Sequence, residues 1–349
     1  MKIAMLAPVA WRTPPRHYGP WELFTSLLTE QLVSMGFNVT LFATADSITR
    51  GNLNSVIPKG YEEDRSCDAK VCESLHISNC FQKAHNFDLI HNNFDFAPLC
   101  YTPFVSTPVL TTIHGFSSPR IIPVYKRFNK NSFYVSISDS DRSDQLQYVQ
   151  TVYHGIDLSC FSFEPEGKDY LLFFGRIHHD KGTREAIEIA KRCNKKLLIA
   201  GPVQESSYFE QHVLPFIDNR NVLYLGSVGA TERNRLLGGA LALLHPINFD
   251  EPFGLSVIEA MACGTPAIAF KRGSMAELIE HGNTGFLVNS IEEAVRSVHL
   301  VSEIDRKKCR KTAEKRFSAG RMAAQYVEIY RNIIKGRLPE RVETIGQYK

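Results

Sequence analysis

Short apolar runs recur along the chain, separated by segments with helical spacing. In the first half the runs are IAMLAP (3–8), NVTLFAT (38–44), DLIHNN (88–93), VLTTIHG (109–115), SFYVSIS (132–138) and TVYHGI (151–156). The second half repeats the pattern with YLLFFGRI (170–177), KKLLIAG (195–201), NVLYLG (221–226), ALALLHP (240–246), TPAIAF (265–270) and TGFLV (284–288). Continuous apolar strands alternating with helices predict parallel sheets buried on both faces. The helix between the first two runs is legible in detail. PWELFTSLLTEQLVSMG places Leu23, Leu27, Leu28, Leu32 and Val33 on one stripe, with Pro20 at its first position and Gly36 after its end.

Between the halves, DLSCFSFEPEGKD (157–169) is polar, carries Pro and Gly, lacks periodicity and reads as a linker. The expected architecture is therefore two doubly wound α/β domains, residues 1–158 and 159–316. A third piece, 317–349, comprises a long amphipathic helix and a polar, loose tail of a dozen residues. The helix, FSAGRMAAQYVEIYRNIIK, sets Met322, Tyr326, Ile329, Tyr330 and Ile333 on one side and reads as a packing helix. A ligand is expected at the carboxyl ends of the strands, in a cleft where the two domains face each other.

Bulk properties narrow the field. At 349 residues the chain is too long for one ordinary core. Its net charge of +3 argues against a nucleic-acid partner held by bulk charge. The 8 cysteines form no C-x-x-C pair, which fits neither a zinc ribbon nor a redox motif and points to a reducing, cytoplasmic setting. MKIAMLAPVAW reads as a first buried strand, not a leader. No run approaches the roughly 18 apolar residues of a membrane span.

Two stretches carry chemistry. YLLFFG runs into RIHHDKGTREAIEIA, so glycines, Arg176 and Lys181-Gly182 stand where a strand ends and a helix begins. That combination suits an anion. It is not a Walker A loop, because the order is Lys-Gly-Thr. The second stretch, NFDEPFGLSVIEAMACGTPAIA (248–269), sets Glu251 before a Pro252-Phe253-Gly254 turn and Glu259 inside an apolar helix. The amides of Gly254 and Leu255 open that helix and favour an anion. A buried carboxylate needs partners. An acceptor-only group suits sugar hydroxyls, with Glu259 on a ribose diol and Glu251 on a second sugar. On this reading the ligand supplies the partners, and the alternative is an ion pair between Glu259 and a buried arginine.

These residues resemble the signature of the retaining family 4 glycosyltransferases of the GT-B fold. EPFGLSVIEAMACGTPAIA contains the Glu-x7-Glu motif; GRI…DKG, the HP of ALALLHP, GSMAELIEHGNTGFLV and PPRHYGPWE follow the family in order and spacing. The similarity runs from residue 1 to about 335. It implies a GT-B architecture of two Rossmann-like domains, the first on the acceptor side and the second holding the nucleotide sugar. In that framework Arg176 and Lys181 bind the donor diphosphate, Glu259 the ribose and Glu251 the transferred sugar. Amides of Phe253, Gly254 and Leu255 meet phosphate and sugar, and Gly226, Ser227 and Val228 lie by the base. Gly19 lets its loop approach the phosphates, and His114, at a strand end, faces the donor sugar. Pro20 departs from the family, where a second glycine is common, and removes one backbone donor.

The resemblance implies transfer from a UDP-sugar or GDP-mannose to a carbohydrate or lipid-linked acceptor, with retention and no cofactor or metal. The default pathway is cell-envelope polysaccharide or lipopolysaccharide assembly. DSD (139–141) matches the letters of a metal-binding pair but reads as a helix start rich in N-cap residues. His178 and His179 read as bystanders in their loop, and His91 as a candidate acceptor-side residue. PRIIPVYKRFNKNSF (119–133) mixes Arg120, Lys126, Arg127 and Lys130 with Tyr125 and Phe128. It is either a surface helix or a peripheral contact with the inner face of a membrane. A nicotinamide dehydrogenase is excluded by the lack of a glycine-rich turn after the first strand. A GT-B sugar-nucleotide epimerase and a catalytically silent sugar-nucleotide-binding partner are the rival readings.

Overall fold

The computed structural model describes residues 1–116 and 118–337; the expectation of a loose final dozen lies outside the described residues. Two compact units divide the chain. One contains residues 1–137, 142–155 and the helix that begins at Ala319; the other contains 138–141 and 156–318.

The first unit holds seven parallel strands: β1 (Lys2–Leu6), β2 (Asn38–Phe42), β3 (Asn52–Asn54), β4 (Leu89–Asn92), β5 (Val109–Ile113), β6 (Phe133–Ser136) and β7 (Gln150–Thr151). Their order is β3-β2-β1-β4-β5-β6-β7. Its helices are α1 (Pro20–Ser34), α2 (Ala69–Gln82) and α3 (Ile122–Phe128). Successive side chains of β1 serve opposite layers, as strand geometry requires. Ile3 and Met5 join Phe24, Leu28 and Leu32 of α1, whereas Ala4 and Leu6 meet Ile77, Cys80 and Phe81 of α2. Both faces are therefore apolar, which is why the sequence shows an unbroken run. TVYHGI forms a much shorter strand than expected: β7 ends at Thr151, and His154 lies in the loop beyond it.

The second unit holds β8 (Tyr170–Phe174), β9 (Lys196–Ala200), β10 (Val222–Tyr224), β11 (Ala242–His245), β12 (Ala267–Phe270) and β13 (Gly285–Val288). The order is β10-β9-β8-β11-β12-β13, again all parallel. Around it lie α4 (Thr183–Arg192), α5 (Ser206–His212), α6 (Ala230–Gly239), α7 (Leu255–Ala262), α8 (Met275–Leu278), α9 (Ile291–Leu300) and α10 (Arg306–Arg316). The sheet grows outward in both directions from the adjacent β8 and β11, so this pair is the topological switch, where ligands of open α/β sheets bind.

The last helix, α11 (Ala319–Ile334), belongs to the first unit, where it packs on α1. Its apolar face is the expected one, with Met322, Tyr326, Ile329, Tyr330 and Ile333 all buried. Two of its hydroxyls enter the sheet. Tyr330 Oη lies 2.6 Å from His91 Nδ1, and Tyr326 Oη lies 2.8 Å from Thr112 Oγ1, which itself lies 2.8 Å from His91 Nε2. This corrects the acceptor-side reading of His91: the ring is fully buried and both nitrogens are engaged.

One further reading changes. No helix starts at the DSD segment. Instead the amides of Asp139 and Ser140 donate to Glu277 at 2.9 and 2.8 Å, and Ser138 donates to the Pro252 carbonyl at 2.7 Å. In the basic–aromatic stretch, Tyr125 is buried and donates to Asp95 at 2.6 Å, so α3 is an amphipathic helix whose Tyr faces inward. Among the described residues, no helix is long and apolar enough to cross a membrane.

Candidate active site

In the second unit, the segments after β8 and β11 are joined by the backbone. The Asn248 amide donates to the Asp180 carbonyl at 2.7 Å, and Asn248 Nδ2 donates to the His179 carbonyl at 3.2 Å. Gly182 is left-handed at φ 72°, and a Cβ there would lie 1.8 Å from the Pro246 carbonyl oxygen. Only glycine allows this approach. The contact seats the turn before α4 directly on the His245-Pro246 turn.

That seating brings Lys181 and Glu251 together. Lys181 Nζ donates to Glu251 Oε2 and lies 4.5 Å from the centre of the Phe249 ring. His245 Nε2 lies 3.6 Å from the same carboxylate oxygen. The two side chains of the pair are only 14% and 13% exposed, so the ion pair is poorly screened. Burial acts to raise the Glu251 pKa, but His245 and Lys181 outweigh it and draw it down to about 2. Arg176, at the end of β8, donates to Gln204 Oε1 and remains partly exposed.

Glu251 is also fixed through its main chain. Its carbonyl accepts from the Ser274 amide at 3.0 Å, and Gly273 passes so close that a Cβ would lie 2.4 Å from the Glu251 backbone. Three residues on, Gly254 is left-handed at φ 99° and starts α7. The first amides of α7 have no intrahelical acceptor, and the positive end of the helix dipole lies there. Glu259 follows on the second turn, only 6% exposed. Arg233 of α6 donates to its Oε1 at 3.2 Å. Burial raises the Glu259 pKa, and the Arg233 charge offsets this only in part. Gly226, Ser227 and Val228 form the loop between edge strand β10 and α6, with Gly226 left-handed at φ 70°.

Within the protein the two carboxylates have side-chain partners, Lys181 and His245 for Glu251 and Arg233 for Glu259, the last being the arginine pair held open from the sequence. Arg176, Lys181, Glu251 and the start of α7 all belong to the carboxyl edge of the β8–β11 pair. Arg233 was missed. Its signal was its place three residues before the apolar Leu236, on the side of α6 that turns toward the core.

In the first unit, Gly19 precedes α1 at φ 146°, where a Cβ would lie 2.8 Å from Glu22 Oε2. Glu22 is buried and accepts from the Trp11 amide at 3.3 Å; burial lifts its pKa to about 7 against that hydrogen bond. His114 follows β5 and is 8% exposed. Its Nδ1 lies 3.4 Å from His154 Nε2 and its Nε2 3.4 Å from Asn93 Oδ1, while Trp21 stacks on the ring at 5.6 Å. Burial first, then the neighbouring His154 and His91, holds its pKa well below the ordinary value, so the ring is neutral.

Residues 160–316 match the profile of the family described as glycosyl transferases group 1. An uncharacterized glycosyltransferase of Methanocaldococcus jannaschii is 25% identical over 341 residues, covering 82% of this chain and 85% of its own. Among solved structures, sucrose-phosphate synthase from Thermosynechococcus elongatus superposes with a TM-score of 0.78 at 19% identity, over 96% of this chain and 100% of that one. The Anabaena protein HepE in complex with UDP and glucose gives 0.72 at 19% identity, over 95% and 100%. The glycosyltransferase has the GT-B fold, with two parallel-sheet Rossmann-like units.

Proposed function

We propose that this GT-B glycosyltransferase moves a sugar from a nucleoside-diphosphate sugar to an acceptor hydroxyl with retention of configuration and without a metal in the chemistry. The observation that carries the reading is the convergence of Lys181 and Glu251, beside the start of α7, at the carboxyl ends of β8 and β11. Cleaving a glycosyl–phosphate bond leaves negative charge on the diphosphate. Lys181, Arg176 and the α7 amides are groups of the right sign to stabilise it. Lys181 and Glu251 neutralise each other across their ion pair. A bound donor redistributes them, its diphosphate taking Lys181 and its sugar hydroxyls donating to Glu251. Glu259 is the candidate for the ribose diol, with the Arg233 charge offsetting part of the cost of its burial. Phe253, Gly254 and Leu255 supply backbone contacts, and Gly226, Ser227 and Val228 flank the base. For Gly19 and His114 the support is the motif resemblance; a neutral His114 acts as a hydrogen-bond partner and not as a cation. The acceptor oxygen attacks on the face that the diphosphate leaves, and a diphosphate oxygen takes its proton.

The UDP and glucose bound by the Anabaena protein make UDP-glucose the first donor to test, followed by UDP-N-acetylglucosamine and GDP-mannose. A carbohydrate or lipid-linked acceptor of the cell envelope, used on the cytoplasmic side, is the proposed context. Nucleotide sugars are screened for a rise in melting temperature, and the best is assayed for nucleotide release with candidate acceptors. Release that depends on acceptor supports transfer; isomerised donor or binding alone refutes it. Glu251→Ala and Lys181→Ala should each lower turnover by ~100-fold or more, and a chelator should leave it unchanged.

A further inference from the structure

We propose that His178, His179 and Glu205 form a binding site for a divalent transition-metal ion of the zinc class, with Asp180 as the outer carboxylate that orients both imidazoles. Three ligand atoms of these residues lie within 4.8 Å of one another. His179 Nδ1 is 2.8 Å and His178 Nε2 3.7 Å from Glu205 Oε2. Zinc bonds of about 2.0–2.1 Å in a tetrahedron separate ligand atoms by about 3.3 Å, so the group closes on an ion with small side-chain rotations. Two imidazoles and one carboxylate, with solvent at the fourth position, form a recognised zinc ligand set and are poorly suited to magnesium.

The second carboxylate distinguishes this cluster from a chance surface group. The nitrogens that turn away from Glu205 both turn toward Asp180: His178 Nδ1 is 3.4 Å from Asp180 Oδ2, and His179 Nε2 is 3.0 Å from Asp180 Oδ1. Metal-ligating histidines characteristically give their other N–H to a carboxylate, which fixes tautomer and ring orientation. In the protein as described, His178 Nδ1 accepts from the Asp180 amide at 3.2 Å. Binding an ion through Nε2 moves the proton to Nδ1, which then donates to Asp180 Oδ2.

The backbone holds the frame in place. The amides of Gln204 and Glu205 both donate to the Ile177 carbonyl at 3.2 Å, and the His179 amide donates to Glu205 Oε2 at 3.2 Å. Lys181 directly follows Asp180, and Gln204, bonded to Arg176, directly precedes Glu205. An ion therefore ties together the two segments that set the anion-binding cations. It stiffens them and takes no part in bond making. The site stands independently of the donor reading, since it binds the ion with or without a nucleotide sugar.

Cobalt, whose tetrahedral complexes absorb visible light, is titrated into the reduced full-length chain without donor, and zinc is then added in competition. The expected result is a tetrahedral band that saturates at one ion per chain and is displaced by zinc. At about 100 times the dissociation constant, zinc should raise the melting temperature by about 5–10 °C. Glu205→Gln and His178→Ala should abolish the band, and Asp180→Asn should weaken cobalt binding about 10- to 100-fold. A missing band overturns the proposal. So does a band that survives in Glu205→Gln and His178→Ala, which would assign the ion to exposed thiols such as Cys67, Cys100 or Cys160.

Discussion

Replacing Lys181 by Met tests the link between the ion pair and the architecture that makes it. Glu251 falls from an ordinary pKa of 4.5 to about 2 on folding. At about 1.4 kcal/mol per unit, the folded state gains on the order of 3 kcal/mol from keeping this group ionised. A depressed carboxylate pKa contributes its full stability above about 4.5, and the contribution is lost as pH falls toward 2. Lys181 shares the pull with His245, 3.6 Å from the carboxylate, so Lys181→Met should remove roughly half, ~2 kcal/mol near neutral pH. For a unit of this size that is about 4–8 °C in melting temperature. The assay is a double-mutant cycle with Glu251→Gln, followed by thermal unfolding near pH 7 and again near pH 3. Against Glu251→Gln, loss of Lys181 should cost less than about 0.5 kcal/mol, giving a coupling above ~1 kcal/mol that shrinks at the lower pH. Equal drops in melting temperature in both backgrounds would show that the two side chains are not energetically joined.

Two further outcomes rest on single residues. Glu22 has its pKa raised to about 7 by burial. Wild-type stability should therefore fall by about 3 kcal/mol as pH climbs from 4.5 to 7, and Glu22→Gln should remove that slope in denaturant titrations at stepped pH. Gly182→Ala places a methyl 1.8 Å from the Pro246 carbonyl oxygen at a left-handed position; calorimetry should register a loss of about 3 kcal/mol, and donor affinity should fall as Lys181 is displaced.

Most of the sheet framework was visible in the chain because strands buried on both faces must be apolar at every position. The exceptions lie at the two edges of the first sheet. β3 consists of Asn52, Leu53 and Asn54 at the sheet edge, and so carries no apolar run. TVYHGI carries the run, but only Gln150 and Thr151 pair, because the rest turns to place His154 beside His114. The candidate site divides similarly. Lys181, Glu251 and Glu259 stand at places where a strand gives way to a helix, which local sequence announces. That Lys181 meets Glu251, that Arg233 answers Glu259 and that His91 is held by Tyr330 are contacts between distant segments. Side-chain periodicity tells which face is buried but not which charge waits across from it.

The return of α11 to the unit that begins at Met1 sets an order of events on the ribosome. Tyr326 and Tyr330 complete the interior around Phe24 and supply the hydrogen bonds of His91 and Thr112. The unit synthesised first thus lacks a wall until α11 has been made, while the unit made second has all its strands in hand before α11 emerges. Vectorial synthesis here should mature the later segment ahead of the earlier one. A chain that terminates just short of Ala319 would lose the cohesion of its beginning, far from the missing residues.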